Sequence, residues 1–228
     1  MPTGRWGDLR LRVLSAAVLA PLALICIWLG GWPFAALVVA GTLGVAHEWV
    51  QMVRTGHGGA LSLLAGMAYV LLAVAGLIWL RADPATGRAN LLFLLVLVWA
   101  SDIGAYVAGR AVGGPRLAPR ISPGKTVSGA LGGLLAAVLI GIAAALWFAG
   151  AQPAYLWHAG VVAGLLGVVA QAGDLGESFV KRQFGVKDSG RLIPGHGGLL
   201  DRLDALLAVA LAASLLALLE GRGVVLWR

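Results

Sequence analysis

Asp174-Leu-Gly-Glu-Ser-Phe-Val-Lys-Arg182, then Lys187-Asp188, then Pro194-Gly-His-Gly-Gly-Leu-Leu-Asp201-Arg-Leu-Asp204 form one polar stretch set between apolar runs. Half of the chain's ten acidic residues (Asp174, Glu177, Asp188, Asp201 and Asp204) fall inside it. The 228 residues are otherwise poor in charge: 60% are hydrophobic, 12% are charged, and the mean hydropathy is +0.90. A soluble domain usually carries about 25% charged residues. The contrast predicts an all-α, polytopic integral membrane helical bundle. A charge at membrane depth costs about 2.5–3.5 kcal/mol, so a cluster this dense needs partners or a ligand.

A spanning helix takes about 20 mostly apolar residues. Seven runs fit, over 13–30, 32–47, 60–80, 89–109, 127–150, 155–176 and 199–220. With the N-terminus inside, only Arg81, Arg88, Arg222 and Arg228 of the 17 basic residues fall outside. Cytoplasmic loops are enriched in Lys and Arg, so the polar stretch is expected on the cytoplasmic side. The net charge of +7 then reflects topology and contact with anionic headgroups of membrane lipids, not nucleic acid. Cys26 stands alone, which excludes an intramolecular disulfide and a multi-cysteine metal site. The 34 glycines suit close helix packing, with Gly129/Gly133 and Gly160/Gly164 at four-residue spacing. A homodimer is a further expectation from these glycine-rich helices.

On a helix each residue turns about 100°, which puts Asp174, Glu177, Ser178 and Lys181 on one face. That stripe reads equally as a cation and phosphate site or as an interfacial salt-bridged helix with a Glu177/Lys181 pair. Asp201 and Asp204 share a face at the start of the last span. Desolvating Asp174, Glu177, Asp201 and Asp204 together would cost on the order of 10 kcal/mol. Lys181 and Arg202 offset part of this, and a divalent cation would offset more. Oxygen ligands without a cysteine set point to Mg²⁺. In Pro194-Gly-His-Gly-Gly the glycines permit tight turns and close approach to a ligand, and His196 is either a phosphate contact or structural. Lys187 and Arg191 are phosphate contacts or plain inside-loop charges.

Asp102 lies within an apolar span, where an acid is a functional candidate; a structural hydrogen bond is the rival reading. Gly124-Lys125-Thr126 looks like the end of a P-loop, but the full pattern needs glycine at 119 and Pro119 stands there. What remains is a basic, hydroxyl-rich loop able to bind phosphate oxygens. His47-Glu48 reads as a polar helix end and receives no role.

The order of residues in the polar stretch resembles the phosphatidate cytidylyltransferases, the CDP-diacylglycerol synthases. The family pattern is met by Ser178, Lys181, Arg182, Lys187, Asp188, Gly190, Ile193, Pro194, His196, Gly197, Gly198, Asp201, Arg202 and Asp204. Ser101-Asp102 with Ala105-Tyr106, and Ser122-Pro123 with Lys125-Thr126, resemble further family segments. The resemblance divides the chain into N-terminal transmembrane helices (1–94) and a catalytic transmembrane region (95–228) with its signature at 178–204. It implies that CTP and phosphatidic acid give CDP-diacylglycerol and pyrophosphate. It implies Asp174 and Asp201 as Mg²⁺ ligands with Ser178 contributing, and a second, monovalent cation beside them. Lys125, Lys181, Arg182, Lys187, His196 and Arg202 become phosphate ligands, with Lys181 also catalytic. Asp102, Glu177 and Asp204 shape the polar cavity or a second cation site. The location implied is a bacterial-type inner membrane with the active site facing the cytoplasm. One rival is a related CTP-dependent enzyme acting on another lipid phosphate; a rival from another class is a transporter with Asp102 and Asp174 as ion-coupling groups, against which the Lys/Arg-rich stretch and the lack of an internal repeat argue.

Overall fold

The computed structural model describes residues 5–149, 153–193, 195 and 197–220, leaving aside the side chains of 5–12, 148, 149, 153, 154 and 220. Arg222, Arg228 and the last residue of the expected span 127–150 lie outside the described residues. Among them are seven helices: α1 (Arg5–Leu29), α2 (Gly31–Thr55), α3 (Ala60–Ala82), α4 (Gly87–Val112), α5 (Val127–Ala149), α6 (Pro153–Gln183) and α7 (Leu200–Glu220). A two-stranded hairpin, β1 (Arg116–Ala118) and β2 (Ser122–Thr126), joins α4 to α5. Helices α2 to α7 are each long and apolar enough to cross a membrane, and α1 adds the shorter apolar segment Val13–Leu29. The protein is therefore an all-α polytopic membrane protein, as the apolar runs predict.

The elements depart from the expected spans where polar residues find partners. α2 continues to Thr55, two turns beyond residue 47, and α6 continues to Gln183, beyond residue 176. Both extensions are polar and would end a span counted by hydropathy alone. The hairpin was also unexpected. Ser122-Pro-Gly-Lys-Thr126 has none of the apolar alternation that marks a strand, yet it pairs antiparallel with β1, Arg116 opposite Thr126 and Ala118 opposite Ser122. Gly113 and Gly114, with φ of 65° and 101°, turn the chain out of α4 into this hairpin. Residues with a Cβ rarely adopt those angles.

The chain divides into two compact units, Met1–Leu72 with Val180–Leu203, and Ala73–Phe179 with Asp204–Arg228. The second unit holds a buried cluster that includes Leu94, Leu97, Ala137, Leu166 and Val209. Lipid is as apolar as leucine, so helices associate there by close packing more than by hydrophobic burial. α4 and α5 show how. A Cβ on Gly132 would collide with Ala108 and lie 2.8 Å from the Gly104 carbonyl oxygen. A Cβ on Gly129 would lie 2.8 Å from the Ala105 carbonyl oxygen. The expected pair Gly129/Gly133 thus does meet a neighbouring helix backbone. Gly160/Gly164 instead face side chains of Val138, Leu134 and Ile142: a Cβ would meet them at 3.7–3.9 Å, except for a tight 3.3 Å between Gly164 and Val138.

Replacing Gly132 with valine is expected to cost about 1–3 kcal/mol, the usual penalty for overpacking. Gly41→Ala, where a Cβ meets nothing within 4 Å, should leave stability unchanged or slightly raised. Thermal unfolding of the two purified variants in detergent compares them directly.

Candidate active site

In the first unit the polar stretch wraps around one carboxylate. Asp201 lies in the first turn of α7, where the exposed amides of a helix start favour negative charge. Its Oδ1 accepts the Lys181 ammonium at 2.6 Å, and the pair is nearly buried, with side chains 11% and 10% exposed. The Ser189 amide donates to Oδ1 at 3.2 Å and Oδ2 at 3.0 Å, and the Gly198 amide to Oδ2 at 3.1 Å. The stretch from 189 to 198 therefore folds back on Asp201 at both ends, and the Ile193 amide donates to the Gly197 carbonyl at 3.0 Å between them.

A second carboxylate holds the same loop from outside. Glu48, on α2, is 2% exposed. It accepts the Ser189 hydroxyl at 3.0 Å and the Leu199 and Leu200 amides at 2.9 Å each. Neighbouring positions on α2 extend the contact. Gly44, one turn earlier, leaves room for Leu192 and Leu199, and Trp49 packs edge-on against Phe184 with ring centroids 6.0 Å apart. The polar end of α2, read from sequence as having no role, is the platform for the loop. The only local signal for Glu48 is an acid one residue past the apolar run 32–47, where a charge at the span end still needs a partner.

In the second unit the hairpin carries Lys125 to Asp174, with Nζ and Oδ2 2.5 Å apart. This pair is more open, its side chains 28% and 35% exposed. Thr126, next to Lys125, caps α5 by accepting the Gly129 amide at 3.1 Å. Ser128 ties the start of α5 to the Gly113 carbonyl at the end of α4. Lys125 thus sits on a fixed base. Around it opens a cavity of about 360 Å³, lined by Asp102, Arg110, Arg116, Gln171 and Asp174 among others. Asp102, expected to shape a polar cavity or a second cation site, is among the residues lining this cavity. Arg110, Arg116 and Gln171 were missed as lining residues. Their contribution depends on the hairpin fold, which has no signature in the sequence.

Other expected residues are placed as follows. Ser178 and Glu177 are half-buried on α6, and Asp204 is half-buried on α7 with Oδ1 accepting the Ala205 amide. Arg182 is exposed and donates to the Val186 carbonyl at 3.3 Å. Lys187 and Arg202 are exposed. Pro194 and His196 lie outside the described residues.

The model of the cytidylyltransferase family matches residues 57–219. The phosphatidate cytidylyltransferase of Brucella suis biovar 1 is 40% identical over 249 aligned residues, covering 90% of this chain and 91% of that protein. The Rickettsia bellii protein of the same name is 35% identical, covering 90% of this chain and 88% of its own. That of Staphylococcus saprophyticus is 36% identical over 80% of this chain and 68% of its own.

The two lysine–aspartate pairs should respond differently to mutation. Lys181→Met takes the counter-charge from a buried carboxylate and should cost about 3–5 kcal/mol. Lys125→Met, at the more open pair, should cost less than about 1 kcal/mol. Adding Asp201→Asn to Lys181→Met removes the stranded charge and should recover part of the loss. Chemical unfolding in detergent micelles gives all three values.

Proposed function

This chain belongs to the cytidylyltransferase family, and we propose that it transfers the cytidylyl group of CTP to phosphatidic acid, yielding CDP-diacylglycerol and pyrophosphate. The observation that carries this reading is the cavity beside the Lys125–Asp174 pair, where two arginines and a lysine meet two carboxylates. At about 360 Å³ it falls in the range of about 300–1,000 Å³ usual for small-molecule sites. Its cationic side chains suit phosphate oxygens, and arginine can grip them with two parallel hydrogen bonds. The apolar helices suit a substrate whose acyl chains stay in lipid. The relatives are named for phosphatidate as substrate, which favours the enzyme over the transporter.

In the reaction a phosphate oxygen of phosphatidic acid forms a bond to the α-phosphorus of CTP. The bond from that phosphorus to the bridging oxygen breaks, and pyrophosphate leaves. A phosphate monoester has a second pKa of about 6, so the attacking group is already anionic near neutrality and no strong base is required. The task of the protein is to gather anions that repel each other and to hold them in line. Lys125, Arg110 and Arg116 bind phosphate oxygens at the cavity. Lys181, Arg182, Lys187, His196 and Arg202 are the corresponding ligands along the signature, and Asp102, Glu177 and Asp204 tune the local charge.

The donor set suits Mg²⁺: Asp174 and Asp201 offer carboxylate oxygens and Ser178 a hydroxyl, and the Asp174 side chain is about one-third exposed beside the cavity. Among the described residues no three His, Cys, Asp or Glu side chains form a closed metal cage. Mg²⁺ typically takes only one or two carboxylates and completes its shell with water and substrate phosphates. When bound, it supplies charge that stabilises the leaving pyrophosphate; a monovalent cation nearby would add to it. The bacterial relatives and the basic inner segments support an inner-membrane location with the site facing the cytoplasm, where CTP is found.

Asp174→Asn and Asp201→Asn should each abolish transfer while the protein still inserts in the membrane. The purified variants are assayed with labelled CTP, Mg²⁺ and phosphatidic acid, with EDTA as control. A wild-type rate in either variant removes that residue from the metal site.

A further inference from the structure

Glu48 is absent from the signature at 178–204 and carries no role in the proposed reaction, yet it is among the most buried polar side chains of the described residues. Both of its carboxylate oxygens point into the signature loop. Oε1 accepts the Leu199 amide, and Oε2 accepts the Leu200 amide and the Ser189 hydroxyl. Ser189, 7% exposed, faces two ways. Its hydroxyl goes to Glu48 and its amide goes to Asp201. A chain of contacts thus runs from α2 through Ser189 to the carboxylate that pairs with Lys181.

The loop leaves no slack around this chain. A Cβ on Gly190 would run into the Glu48 side chain, and one on Gly198 would run into the Ser189 hydroxyl and lie 2.8 Å from Glu48 Oε2. Two glycines of the signature therefore make room for a residue outside it. Leu199 and Leu200 are the start of α7, so the same carboxylate also satisfies amides that no helical carbonyl can meet.

From this arrangement we infer that Glu48 is a positioning residue for Asp201: it clamps Ser189 and the first amides of α7 so that Asp201 and Lys181 hold a single geometry. This deepens the proposed function and rests on it for the role of Asp201. Glu48 contacts neither substrate nor metal in this account. It acts through the loop.

The test uses the full chain purified in detergent, as wild type and as Glu48→Gln, Glu48→Asp and Ser189→Ala. Glutamine keeps the shape but turns one acceptor oxygen into an NH₂ group, which cannot accept from a backbone amide. Amide hydrogen exchange over residues 186–201 should accelerate about 10- to 100-fold in Glu48→Gln, the effect of losing a charge-assisted hydrogen bond. Exchange in α4 and α5 should stay as in the wild type. Turnover should fall about 10- to 100-fold, as small misplacements of catalytic groups do, with KM for CTP changed by less than about twofold. Aspartate should restore part of both signals, because it keeps two acceptor oxygens on a shorter arm. Ser189→Ala should give an intermediate loss, and it supplies the same readings if Glu48→Gln does not accumulate.

Wild-type exchange over 186–201 in Glu48→Gln overturns the inference. So does acceleration spread evenly into α4 and α5, which would make Glu48 a general stability residue. Exchange is read without substrate. A wild-type protein inert toward CTP and phosphatidic acid would count against the proposed function, while the exchange data alone would still decide whether Glu48 holds the loop.

Discussion

A carboxylate taken out of water must have its oxygens met by donors, or it destabilises whatever holds it. Asp201 meets that demand with one ammonium and two backbone amides converging on it. The local sequence follows from the requirement. An amide must reach it from each side of the loop, so the chain reverses between 189 and 198. Glycine is needed at 198 because the Ser189 hydroxyl occupies the space of a side chain. Lys181 must extend from the end of α6, which explains why that helix runs past the apolar run into polar sequence. Of the dense charge that looked costly in the sequence, the nearly buried Lys181 and Asp201 in this unit meet each other, and Arg182, Lys187, Asp188, Arg191 and Arg202 are exposed.

The second unit solves a different problem. In lipid there is no hydrophobic gain from joining two apolar helices, so contact depends on how closely their backbones approach. Gly104, Gly129 and Gly132 set that approach between α4 and α5. The consequence reaches the cavity. Because the two helices are held together, the hairpin between them has fixed ends, and Thr126 and Ser128 fasten its return to α5 and α4. Lys125 is thereby delivered to Asp174 by packing several turns away from it.

The sequence disclosed what depends on residue type and spacing. The apolar runs gave the helices, Asp102 gave a cavity, and the order of Ser178 to Asp204 gave the family. It did not disclose what depends on contacts distant in the chain. Glu48 meets Ser189 and Leu200 across more than 140 residues, and nothing local marks it except its charge at the end of an apolar run. The hairpin was hidden for another reason. Two short polar strands lack the alternation by which a half-buried strand is recognised, and only the glycines at 113 and 114 hint that the chain turns there. Arg110 and Arg116 became cavity residues only once that turn was known.

The two lysine–aspartate pairs share one chemistry but differ in access, and that difference bears on their work. Lys125 and Asp174 are about one-third exposed beside a cavity, so water already screens their attraction and an arriving anion or cation competes on favourable terms. Lys181 and Asp201 are about one-tenth exposed, and the carboxylate keeps two backbone amides even when the ammonium is set aside. The first pair is suited to exchanging partners during a binding event. The second is suited to keeping its orientation throughout, since the amides fix the carboxylate independently of the lysine. On the proposed reading, Lys125 is the adaptable cation and Asp201 the preset carboxylate. Preorganised charge costs no reorganisation at the moment of reaction, whereas a group that must first admit substrate cannot be fully buried.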